Sequence, residues 1–171
     1  KMFLLAVLAG AYIALAGLGA SVASAGAESA GAGRLLSACV FPAGLTMVLL
    51  AGSELFTGNC LILIPVLHRE VSPAAFVRNL VVVYLGNTLG GILVAAGAVY
   101  SRIFDLFGGG MAAGAISTAA AKCALPFGIA FLRGIFCNLL VCLAVWMAMA
   151  AKDTAGKVAA LFFPIFLFVL C

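Results

Sequence analysis

Apolar residues in this chain come in long unbroken runs, with neither strand alternation nor a heptad stripe. Met2 to Ala25 contains no charge, and a helix rising about 1.5 Å per residue crosses a hydrocarbon core of about 30 Å within such a run. Gly10, Gly17 and Gly19 give it small residues suited to close helix packing. A Gly/Ala/Ser loop with Glu28 and Arg34 is expected next. Leu35 to Leu67 then holds 33 positions and a single charge, Glu54. As one straight helix it would reach roughly 50 Å, too long for the bilayer. Its centre reads AGSELFTGN, with glycines, hydroxyls, an amide and a carboxylate where a plain span carries Leu and Val. Irregular backbone at membrane depth survives only when buried in protein or lining a water-filled cavity. The pattern therefore predicts a helix broken at Gly52–Asn59.

Downstream, HREVSPAAF offers Ser72 as N-cap and Pro73 as the first helical residue. Asn79 to Ser101 reads as the next span, with Gly86 and Gly90 in a GxxxG relation. RIFDLFGGG reads as interfacial, and the Ala-rich stretch to Ala121 is open between helix and loop. Gly134 to Ala151 is a further span, with Arg133 snorkelling at its outer end. After KDTAGK, the run VAALFFPIFLFVLC begins another helix. The expectation is four spans and the start of a fifth, in a single domain over 1–171 that belongs to a longer chain.

Composition supports the membrane reading. Hydrophobic residues make up 67% and charged residues 8%, against about half and a quarter in soluble domains. The net charge of +4 is scattered over short loops and forms no basic stripe, which argues against nucleic acid as a partner. Lys and Arg counts place Lys1, Arg69, Arg78, Lys152 and Lys157 on one face and Arg34, Arg102 and Lys122 on the other, the richer face being cytoplasmic. Cys39, Cys60, Cys123, Cys137, Cys142 and Cys171 lack metal-ligand spacing and read as packing residues. No nucleophile, zinc or phosphate-loop motif is present, so neither an enzyme nor a cofactor or metal is expected.

Few residues remain that could carry chemistry. Glu54 at bilayer depth marks a polar site by its cost alone. It fixes the break by accepting backbone N–H bonds, handles protons, or is simply a satisfied structural carboxylate at a helix break. Thr57, in the same segment, offers a hydroxyl to a constriction or back-bonds to its own helix. Asn138 makes an interhelical hydrogen bond or lines a pore. Lys1 and Lys122, at opposite faces, either concentrate anions or simply snorkel. His68, beside Arg69 and Glu70, reads as solvated.

AGSELFTGN in the broken second helix, YLGNTLGG in the third span and CNLLVCLAVWMA in the fourth resemble the formate/nitrite transporter family along the whole chain. The resemblance implies an all-α integral membrane fold: an aquaporin-like protomer of six helices in two inverted three-helix repeats, with the second and fifth helices broken. This chain would cover about four and a half of them. It further implies a homo-oligomer, a pentamer with one pore per protomer, in the cytoplasmic membrane of a bacterium or archaeon. The permeants would be small monovalent anions such as formate, nitrite and hydrosulfide. Leu55 would form one apolar constriction. Leu45 and Phe168 would form another, with Phe41 facing the path. Thr57, Asn138 and Glu54 would be the polar pore residues, and Lys1 and Lys122 the anion-attracting vestibule residues. The family's central pore histidine belongs to a fifth-helix motif expected beyond Cys171, and His68 is not its equivalent. SELFTG resembles nitrite-type members slightly more than formate-type ones.

Two other functions stay open at this stage. An aquaporin-like channel for neutral solutes lacks support from the absent Asn-Pro-Ala pair. A non-conducting scaffold would gain nothing from an interrupted span.

Overall fold

Helix α1 (Met2–Ala25) covers the whole uncharged N-terminal run, and the computed structural model describes residues 1–170 in all. Cys171 lies outside the described residues. The expected loop after α1 is shorter than the sequence pattern suggested. Ser29 takes the N-cap position, its side chain accepting the Ala32 N–H at 3.2 Å, so that α2 (Ala30–Val40) already contains Arg34. Pro42 opens α3 (Pro42–Leu50) directly after Phe41, because proline is tolerated in a first helical turn and not within one. Together α2 and α3 make a 21-residue apolar unit long enough to cross a membrane.

The chain resumes with α4 (Phe56–Asn59), a 3-10 turn over Cys60–Ile62, and α5 (Leu63–Leu67). The break is therefore residues 51–55, shorter than the predicted Gly52–Asn59. Thr57 and Asn59 lie in the helix that follows the break rather than in the loop. Helix α6 (Pro73–Tyr100) begins at the predicted cap, where the Ser72 hydroxyl accepts the Ala75 N–H at 3.2 Å. It starts six residues before the predicted span, since capping and not hydrophobicity sets its start. The ambiguous Ala-rich stretch is helical as α7 (Gly110–Cys123). Helix α8 (Phe127–Ala150) also starts earlier than expected, which puts Arg133 about two turns inside it and not at its end. Helix α9 (Thr154–Leu170) carries the final apolar run. Among the described residues, four units are long and apolar enough to span a bilayer, and the architecture is all-α and multi-pass.

The most extensive contact joins α1 to α6, which run parallel. Its basis is the small-residue pattern seen in the sequence. A Cβ on Gly10 would land on the Asn87 backbone, one on Gly86 on Ala6, and one on Gly90 on the Val7 carbonyl. Bare backbones approach this closely only where side chains are absent. The second packing centre gathers Ala9, Leu45, Val48, Val141, Ala144, Leu161 and Ile165 from α1, α3, α8 and α9.

Candidate functional site

The break is built in three steps. Gly52 ends α3 with φ +66, and the Ser53 N–H reaches the Val48 carbonyl at 2.9 Å while the Gly52 N–H reaches Leu49 at 3.4 Å. This paired pattern closes a helix on a left-handed residue. Leu55 is then extended, with φ −109 and ψ 127. The break before α4 leaves backbone groups of Glu54 and Phe56 without helical partners, and such groups need others at this depth.

Asn87 supplies them. Its Nδ2 donates to the Glu54 carbonyl at 2.9 Å and to the Ala6 carbonyl at 2.7 Å. Its Oδ1 accepts the Phe56 N–H at 2.9 Å. Both donors and the acceptor of one amide are thereby used. The Glu54 N–H meanwhile donates to the Leu5 carbonyl at 3.3 Å. Asn87 is the fifteenth of the 28 residues of α6, so the break is pinned halfway along that helix.

The Glu54 carboxylate is satisfied at the break by a side-chain amide rather than by backbone N–H groups. It accepts from Asn59 Nδ2 at 2.7 Å, and the same nitrogen donates to Asn79 Oδ1 at 2.9 Å. Asn79 Nδ2 in turn points at Met2 Sδ at 3.3 Å. Side-chain amides thus hold the carboxylate, while Asn87 takes the backbone role expected of Glu54.

The four apolar residues singled out in the sequence are brought together. Leu45 is 2% exposed within the second packing centre, and Phe41, Leu55 and Phe168 pack against it. The Phe41 and Phe168 rings lie 5.8 Å apart. Thr57 sits on α4, where its carbonyl accepts a weak hydrogen bond from Cys142 Sγ at 3.4 Å. Asn138 lies one turn before Cys142 on α8. Its Oδ1 is buried and has no hydrogen-bond partner among the described residues, as is true of Ser53 Oγ. The interhelical bond expected for Asn138 is therefore not made by its oxygen.

Lys122 lines a cavity of about 650 Å³ together with Arg34, Arg133, Phe41 and Phe168. Among the described residues no carboxylate lines it, and the ion pair seen among them is Arg102–Asp105, at 2.7 Å on the surface. Lys1 lies at the other end of α1 and is not part of this cavity. His68 caps α5 and is exposed.

Sequence reasoning missed Asn87, Asn59 and Asn79, and assigned Arg34 and Arg133 to loop and helix end. The signal was available: an amide inside an apolar run needs a partner as much as Asn138 does. Asn87 stands within YLGNTLGG, between the two glycines of the GxxxG pair.

A model of the formate/nitrite transporter family matches residues 1–171. A probable formate transporter of Methanothermobacter thermautotrophicus is 39% identical over 192 residues, covering 99% of this chain and 68% of that relative. A formate channel of Haemophilus influenzae is 38% identical over 170 residues, covering 98% of this chain and 60% of its own length. Among solved structures, a pentameric formate channel with formate bound is similar with a TM-score of 0.90 at 37% identity, over 99% of this chain and 68% of that one. A second, described as an FNT family ion channel, gives 0.86 at 28% identity, over 99% and 67%. The chain thus spans between 60% and 68% of the two curated relatives described.

Proposed function

Because the chain belongs to the formate/nitrite transporter family, we propose that it forms much of the wall of a membrane channel for small monovalent anions of weak acids. Formate stands first among them, since the relatives it resembles are named for formate; nitrite and hydrosulfide share its charge and size class. The observation that carries this reading is a basin lined by three cations, with no carboxylate beside them among the described residues, that shares Phe41 and Phe168 with an apolar packing centre. Arg34, Lys122 and Arg133 share the cavity that Phe41 and Phe168 also line, and those two rings pack against the buried cluster that contains Leu45.

The arrangement divides the work of permeation. Unpaired cations in a concave mouth raise the local anion concentration. A bare anion meets a heavy desolvation cost at the Phe41, Leu45, Phe168 closure, and Leu55 adds a second apolar wall next to the break. A weak acid lowers that cost by crossing in its neutral, protonated form. Thr57 and Asn138 supply polar groups beside the apolar path, Asn138 with an acceptor that has no partner among the described residues. Lys1 performs the attracting role at the opposite mouth. The protein works as a homopentamer in a bacterial or archaeal cytoplasmic membrane, each protomer in contact with lipid.

Uptake into proteoliposomes holding the full-length protein tests the proposal, with formate, nitrite and hydrosulfide compared over a pH series. Selective uptake that rises as pH falls is expected. Background flux for every anion alongside free passage of glycerol would replace this reading with an aquaporin-like one.

A further inference from the structure

The outer cavity holds more charge and more space than a one-carbon monovalent anion uses. Arg34 comes from α2, Lys122 from the last turn of α7 and Arg133 from α8, so three separate elements converge on one basin. Its volume of about 650 Å³ lies within the range of about 300–1,000 Å³ typical of sites for organic ligands. Two of the three cations are guanidinium forks, which match carboxylates with paired N–H donors. The walls between them are apolar, including Phe136 and Phe168. A compact, strongly hydrated anion such as phosphate gains nothing from such walls, whereas a carbon chain with a carboxylate at each end meets charge at its ends and aromatic surface along its length.

We propose that the basin formed by Arg34, Lys122 and Arg133 is a binding site for a dicarboxylate, which seats there without passing and competes with the permeant anion from that side. The competition rests on the channel reading above; the binding does not. The Phe41, Leu45, Phe168 closure beneath the basin is what bars passage of a longer dianion.

Cys137 lines the same cavity and reports occupancy independently of transport. In a full-length variant retaining Cys137 as its one thiol, the rate of labelling by a small thiol reagent is measured with succinate, inorganic phosphate or acetate at equal ionic strength. Formate flux is followed in parallel with each anion on one face at a time. Succinate is expected to slow labelling and flux from the basin side at concentrations at least tenfold below those needed for acetate or phosphate. Replacing Arg34→Gln and Arg133→Gln together should abolish that tenfold preference. Equal protection by all three anions would mean screening only, and phosphate protecting as well as succinate would mean a general dianion site; either result overturns the dicarboxylate assignment, as does unchanged protection in the double variant. Protection of Cys137 without any formate flux would uphold the site and sink the channel reading. Flux without protection would do the reverse.

Discussion

At the scale of single residues, the break depends on side chains that finish backbone hydrogen bonds. Asn87 serves three backbone groups at once. Replacing it with Leu keeps the volume and strands those groups, each costing about 1–3 kcal/mol when buried and unpaired. Asn87→Leu is therefore expected to lose on the order of 3 kcal/mol of stability, read as a lowered unfolding midpoint in detergent, with loss of transport. Asn87→Asp retains only the acceptor and should fail nearly as badly; wild-type behaviour in both would remove Asn87 from this role. Gly52 makes a different contribution. A Cβ there would touch nothing within 4 Å, yet φ is +66, so Gly52→Ala is expected to cost about 1–2 kcal/mol from backbone strain alone. Glu54→Gln preserves an oxygen to accept from Asn59 and removes the charge. An unchanged pH profile of flux in Glu54→Gln would assign Glu54 to holding the break, whereas a shifted profile would assign it to proton handling.

At the scale of elements, glycines decide which helices touch. Gly90 meets the Val7 carbonyl of α1, while its neighbour Gly91 has nothing within 4 Å. Gly90→Leu should therefore separate α1 from α6, costing about 3 kcal/mol by overpacking. Gly91→Leu should stay within about 0.5 kcal/mol of the parent. Thermal unfolding of the two variants side by side checks this, and equal losses would mean that residue size at this depth, not the α1–α6 seam, governs the effect. The seam was legible in the sequence because GxxxG spacing is local. The start of α6 was legible for the same reason, since Ser72 and Pro73 carry their own capping chemistry. The length of the break was not legible. Thr57 and Asn59 have the composition of a loop, and only the Phe56 N–H bond to Asn87, 31 residues away, lets the helix resume where it does. Arg133 was misplaced because a run of apolar residues sets no start for a helix, whereas Pro126 just before α8 does.

At the scale of the whole molecule, the features that matter are sums over distant elements. The membrane class, and a face shared by Arg34, Arg102 and Lys122, followed from hydropathy and loop charge, though Arg102 does not line the basin. The addition of Arg133 to Arg34 and Lys122 did not, because it requires α2, α7 and α8 to be packed. That packing makes a quantitative claim about long-range electrostatics. Three cations with no carboxylate partner among the described residues should concentrate anions most at low ionic strength, where the Debye length is about 30 Å at 0.01 M, and hardly at all at 1 M, where it is about 3 Å. Lys122→Ala should accordingly slow uptake severalfold at low salt when the permeant is limiting on the basin side, and the gap to the parent should close as salt rises. The same variant assayed from the opposite side should match the parent, while Lys1→Ala should show the mirror-image dependence. Stopped-flow uptake across a salt series in both directions measures all four cases. Equal slowing at every salt concentration would mean that Lys122 acts through local structure; slowing that fades with salt from one side alone would make the basin an electrostatic funnel.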